Sequence, residues 1–95
     1  MSLALFIPLK TAYFKAFESG TKDTEFRVYG PRWNEDTCYE GRPVVLSHGY
    51  GKHNRLRGRI VRFHRSEAPT QTAAWQECYG NTEGQVAACI GIELV

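Results

Sequence analysis

The sequence predicts a mainly β, α+β fold: a small barrel or strongly coiled sheet with one principal helix packed on its side. Three observations predict it. Five segments carry the alternation or β-branched density of strands, and one segment has helical spacing with a clear stop. No strand–helix unit recurs, which argues against a doubly wound sheet. The 95 residues, 42% of them hydrophobic, suffice for one core, so residues 1–95 read as a single domain.

Leu3 to Ile7 forms a short apolar strand ended by Pro8. A helix follows, beginning at Thr11 or at Leu9–Lys10, with Gly20 as its stop. Tyr13, Phe14 and Phe17 give that helix an aromatic face to press on a sheet. From Lys22 to Tyr29 the chain alternates, with Thr24, Phe26 and Val28 pointing one way and Asp23, Glu25, Arg27 and Tyr29 the other. The expectation is a strand with one buried and one polar face. Gly30, Pro31 and Asn34 open a polar loop that runs to Gly41 and Arg42. Pro43 to Ser47 is the next strand, and Gly49, Gly51 and Asn54 mark the turn after it. Arg55 to His64 is a long strand whose alternation breaks near Gly58 to Val61, where a bulge or barrel bend is expected. Ser66 to Gly84 holds at most a short helix near Thr72 to Glu77. In the closing strand Val86, Ala88, Ile90, Ile92 and Leu94 alternate with Ala87, Cys89, Gly91 and Glu93.

Composition narrows the class. The longest apolar stretch, Leu3 to Pro8, is far below the roughly 20 residues of a membrane-crossing helix, and it lacks the basic flank of a secretory signal. The expectation is a soluble cytoplasmic protein without a membrane partner. Cys38, Cys78 and Cys89 are odd in number and irregularly spaced, without a C-x-x-C pair, which reads as reduced thiols. His48 and His53 have no third ligand in sequence, so neither a metal site nor a cofactor is expected. Net charge is only +2, but its distribution is uneven. From Tyr50 to Arg65 the chain carries Lys52, Arg55, Arg57, Arg59, Arg62 and Arg65 and no acid, a local field that attracts phosphates.

The octet Gly20-Thr21-Lys22-Asp23-Thr24-Glu25-Phe26-Arg27 has the pattern G-x-K-x-x-E-x-R. It lies where the helix ends and the next strand begins. Gly20 can turn the chain sharply, and Lys22 then stands at the mouth of the strand, where its ammonium can meet a phosphate or carbonyl oxygen. Glu25 and Arg27, two apart, share a face and can offer an acceptor and a planar donor fork to a base edge. The plainer account of the same pair is a partly exposed ion pair contributing under about 1 kcal/mol.

The octet in this setting resembles the signature of the ASCH domain family, a branch of the PUA-like superfamily. The resemblance extends to the strand–helix opening, the middle strand Val44–Ser47, the glycine-containing strand Arg57-Gly58-Arg59-Ile60-Val61 and the hydrophobic last strand. It implies a PUA-like β-barrel with a cleft between helix and barrel mouth, here lined by Lys22, Glu25 and Arg27. It also implies binding of RNA or of a nucleotide-like ligand. Some similar small members hydrolyse the amide of an acylated cytidine nucleoside, and some cleave RNA. On that alternative Lys22 and Glu25 are the acid/base pair. However, those amidohydrolases carry a nucleophilic threonine where this chain has Glu25, and Thr24 is expected on the opposite face.

Other residues complete the candidate ligand site. Tyr29 and Trp33 are stacking candidates beside Arg32 and Arg42, with a ring folded over the barrel end as the competing account for Trp33. Ser47, His48, Tyr50 and Lys52 lie in a glycine-rich turn that can present N–H groups and charge to an anion, or can be a plain hairpin loop. Arg55, with Arg57 and Arg59, can track phosphates or decorate a solvated exterior. A third functional class, a protein-interaction role through the Trp33 loop, is also compatible with the sequence.

Overall fold

A computed structural model describes residues 3–51, 53–80 and 84–95. In chain order the elements are β1 (Leu5–Leu9), α1 (Thr11–Ser19), β2 (Thr24–Val28), β3 (Pro43–His48), β4 (Arg55–Ser66), a 3-10 turn (Ala68–Gln71), α2 (Ala73–Tyr79) and β5 (Ala87–Leu94). The strands form one curled half-barrel in the order β1-β3-β4-β5-β2. β1 runs parallel to β3, and every other pairing is antiparallel. β1 and β2 are therefore the two edges of the sheet, and the seam between them is where the barrel stays open.

α1 starts at Thr11 with Lys10 as its N-cap, and it ends at Gly20 in the left-handed region, φ 82°. Only glycine takes that conformation without a steric cost, and the turn lets the Thr21 and Lys22 N–H groups both donate to Ala16 O, at 3.0 and 3.1 Å. The helix lays Phe14 and Phe17 into the concave side of the sheet, among Ile7, Leu46, Ile60 and Ile90. Complete burial of a ring the size of Phe17 contributes about 2–3 kcal/mol, so this contact is what fixes α1 on the half-barrel. Tyr13 is only half-buried and turns toward the seam.

β4 runs two residues beyond the expected end, and the expected bulge is present. Ile60 faces Ile92 and Arg62 faces Gly91, leaving Val61 without a partner. Just before it, Gly58 passes so close to β5 that a Cβ there would lie 2.5 Å from Glu93 O. The expected short helix is α2. It is preceded by the 3-10 turn and capped by Thr72, whose Oγ1 accepts from Trp75 N–H at 3.2 Å. α2 presses Trp75 onto Ala87, Cys89 and Val28, on the other side of the sheet from α1. Consequently β5 is buried on both faces from Ala87 to Ile92.

β2 corrects an expectation. Its alternation is as anticipated, but the polar side is the inward one. Glu25 is 6% exposed, whereas Phe26 is 37% exposed. Glu25 and Arg27 stand opposite Ile90 and Ala88, which belong to the main core. A carboxylate and a guanidinium can occupy that concave position because β2 is an edge strand and the open seam gives them each other and solvent.

Candidate functional site in the open seam

The cleft lies in the seam between β1 and β2 and has a volume of about 690 Å³, within the range of small-ligand sites. Its floor is Pro8 and Leu9 from β1, Glu25 and Arg27 from β2, and Lys22 from the turn that leads into β2. Tyr13 of α1 stands on one side, and Trp75, Cys78 and Tyr79 of α2 on the other. Three of the four charged residues of the octet, Lys22, Glu25 and Arg27, thus converge on one concave surface, while Asp23 pairs with Arg62 outside it.

Arg27 organises the floor. Its Nε donates to Glu25 Oε2 at 2.8 Å, and its Nη2 reaches across the seam to Pro8 O at 2.6 Å. Its guanidinium also lies 4.9 Å from the centre of the Trp33 ring. One side chain therefore joins the two sheet edges that no backbone ladder joins. Charge-assisted bonds of this length are among the stronger polar contacts in proteins.

Lys22 is held differently. Its ammonium lies 4.9 to 5.6 Å from the ring centres of Phe26, Tyr13 and Phe17, a cage of three aromatics. Its side chain is 18% exposed, and Glu25 Oε1 is 3.8 Å away. That separation is an ion pair but is beyond hydrogen-bond range. Among the described residues Lys22 thus has three N–H donors in a partly dry cleft with no hydrogen-bond acceptor.

The aromatic walls are themselves oriented. Trp75 Nε1 donates to Gln85 Oε1 at 2.9 Å, and the Trp75 and Tyr79 rings pack at 4.5 Å. Burial pushes the Tyr13 and Tyr79 hydroxyls above their ordinary pKa of 10.0, with Cys78 reinforcing the rise at Tyr13 and Glu25 that at Tyr79. Both therefore remain neutral donors at physiological pH. Cys78 lies at the rim and accepts a hydrogen bond from Lys10 Nζ at 3.4 Å.

The remaining candidates fall elsewhere. Trp33 is 9% exposed and belongs to the core, so its ring is folded over the barrel end and is no free stacking platform. The cause is local: Asn34 Oδ1 accepts from the N–H groups of Asp36 and Thr37, and Asn34 Nδ2 donates to Gly30 O, which folds the loop back onto the sheet. Tyr29 donates to both oxygens of Glu35, sits beneath Arg65 and does not line the cleft. Ser47 is fully buried and ties the turn together by donating to Gly51 O at 3.1 Å, so its role is structural. Arg55 packs over Phe6 at 5.3 Å, and Arg57 and Arg59 are exposed; none of the three lines the cleft. Lys52 lies outside the described residues. His48 and Tyr50 line a second, more open depression of about 450 Å³ that shares Pro8, Leu9, Lys10 and Arg27 with the first.

Sequence reasoning missed the α2 wall and Lys10. Trp75, Cys78 and Tyr79 at i, i+3 and i+4 were the available signal, since that spacing puts all three on one helical face. Among the described residues no helix is long and apolar enough to cross a membrane, and no group of three or more His, Cys, Asp or Glu side chains is placed to hold a metal. No family model matches the chain, and no curated protein matches it.

Proposed function

We propose that this domain, ASCH-like in its octet, binds RNA or a modified nucleotide in the seam cleft. The observation that carries the reading is the Lys22 ammonium, fixed by three rings, beside a buried carboxylate and without a hydrogen-bond acceptor among the described residues. A ligand oxygen entering the cleft can accept from this partly exposed ammonium. Glu25 Oε1, not engaged by Arg27, accepts from an N–H alongside. A donor beside an acceptor is the edge that every nucleobase presents, and Tyr13, Trp75 and Tyr79 supply apolar walls for a flat ring. The alternative, a hydrolase with Lys22 and Glu25 as acid and base, has the two groups near each other at 3.8 Å. Arg27 occupies the second carboxylate oxygen, however, and Thr24 bonds Asp23 and Arg62 away from the cleft, so the arrangement favours recognition over proton transfer.

The test is a thermal-shift panel of nucleosides, nucleotides, acylated cytidine and single-stranded RNA, with Lys22→Ala beside the wild type. A ligand at one hundred times its Kd stabilises the fold by about 2.7 kcal/mol, which in a domain of this size raises Tm by roughly 10–20 °C. Lys22→Ala is expected to remove that shift. A panel in which nothing shifts the wild type, or in which the variant responds equally, overturns the proposal. Turnover of acylated cytidine or RNA that Lys22→Ala abolishes would move the assignment to the hydrolase.

A further inference from the structure

We infer that the ligand is a single-stranded oligonucleotide, with one nucleotide in the seam cleft and its neighbour in the depression beside His48 and Tyr50. This rests on the reading of the seam cleft as a nucleotide site. Four observations extend that reading across the seam.

The two hollows adjoin. They share Pro8, Leu9, Lys10 and Arg27, so only the Arg27–Pro8 bridge and its neighbours lie between them, a span that one phosphodiester linkage can cross. Beyond Glu25 in the cleft floor, the path is basic. Among the described residues no acidic residue lines the second depression, and Lys10 stands at the junction of the two. Among the described residues the Lys10 ammonium bonds only the Cys78 sulfur, a weak acceptor that a phosphodiester oxygen readily outcompetes. A phosphate linking two nucleotides across that bridge therefore meets a cation at the junction.

The far wall suits a second base. Tyr50 is 82% exposed, with its ring 6.3 Å from Phe6, and Arg55 covers Phe6 from beyond. A large aromatic ring left in water is the platform that single-stranded nucleic acid uses. The near wall is rigid: His48 stacks on Phe14 at 5.6 Å and its Nε2 hydrogen-bonds Thr11 Oγ1 at 2.6 Å. The second hollow is thus a slot with one fixed wall that ends in an open aromatic.

Isothermal titration of the full chain with a mononucleotide, the matching dinucleotide and a four-residue oligonucleotide tests the inference. One added base stack corresponds to at least roughly fivefold tighter binding, so the ratio of mononucleotide to dinucleotide Kd is expected at five or above. Tyr50→Ala, a substitution on the surface, is expected to return that ratio toward one. Lys10→Met is expected to reduce the salt slope of dinucleotide binding by about 0.7, the share of one phosphate on a single strand. A wild-type ratio near one, or a ratio that Tyr50→Ala leaves intact, overturns the inference and leaves the mononucleotide site standing. An acidic peptide that competes as well as the oligonucleotide also overturns it, by pointing to a protein partner. Absence of binding by mononucleotide and oligonucleotide alike removes the seam-site reading, and the inference with it.

Discussion

Replacing Arg27 by methionine, which keeps the stem and deletes the guanidinium, isolates the side chain that spans the seam. Three contacts disappear together: the bond to Glu25 at 2.8 Å, the bond to Pro8 O at 2.6 Å, and the approach to the Trp33 ring at 4.9 Å. A hydrogen bond from a charged donor contributes about 1.5–3 kcal/mol and a desolvated cation–π contact up to about 2. The larger consequence is Glu25, left as a buried carboxylate facing only Lys22 at 3.8 Å. Breaking a buried pair costs about 3–5 kcal/mol. One guanidinium makes all three contacts, so these figures overlap and do not add. Lys22 compensates in part, so a loss of about 3 kcal/mol is expected. In a domain of this size that lowers Tm by roughly 12–24 °C. Urea unfolding followed by tryptophan fluorescence measures it, with Glu25→Gln and the double variant closing a thermodynamic cycle. The double variant should recover at least about 1 kcal/mol relative to the sum of the singles, because the stranded charge is gone. A loss under about 1 kcal/mol for Arg27→Met, or simple additivity in the cycle, would refute the account of Arg27 as the clasp of the seam.

Gly58→Ala should destabilise by about 1–3 kcal/mol, since its methyl would lie 2.5 Å from the Glu93 carbonyl oxygen of a paired strand, and Gly91→Ala by a similar amount, since its methyl would lie 2.3 Å from Arg62 Cγ; an unchanged chemical-denaturation midpoint for either would contradict this. The hydrogen bond with Glu35 raises the Tyr29 pKa above 10.0, and the same bond lowers that of Glu35 below 4.5. The carboxylate's contribution is therefore present above its unfolded pKa and lost as pH falls through the lowered folded value, while the phenol's is present below its unfolded pKa and lost as pH rises through the raised one. NMR titration should find Glu35 returning to the ordinary carboxylate range in Tyr29→Phe, and an unchanged Glu35 would exclude the coupling. Cys38 and Cys89 are buried and desolvation raises both thiols, whereas Cys78 is exposed at the cleft rim. One thiol per folded chain should react rapidly with Ellman's reagent, Cys78→Ser should abolish that phase, and fast reaction of two or more thiols would contradict the structure.

Much of the architecture was legible because each element carries its own signal. Gly20 terminates α1 by backbone geometry, and the break in alternation near Val61 is the bulge itself. The octet revealed Glu25 and Arg27 together, since residues two apart on a strand must share a face, and it placed Lys22 at the mouth of that strand. Alternation separates two faces but does not say which is inward. Phe26 and Val28 pointed to the wrong one, because α2, distant in sequence, covers the outer side at Val28, while the open seam lets the inner side stay polar. Trp33 stayed open between two accounts for a related reason: a loop of polar composition reads as solvated, yet Asn34 satisfies its backbone and lets the indole reach the core. The α2 wall was hidden because seven residues give too little periodicity to assign a face until the neighbouring strands are in place.

The positions of the two edge strands also govern the order of assembly. Leu5 must find Val44 and Thr24 must find Gly91, whereas β3, β4 and β5 follow one another as antiparallel neighbours. Closing the longer loops carries the greater entropy cost, so the meander should zip first and the edges dock afterwards. The hollow between those edges is then a late-maturing part of the chain. During ribosomal synthesis β1 waits, unpaired, for a partner that is translated well after it. Stopped-flow refolding in which the Trp75 environment matures after the ladder signals would show this delay directly.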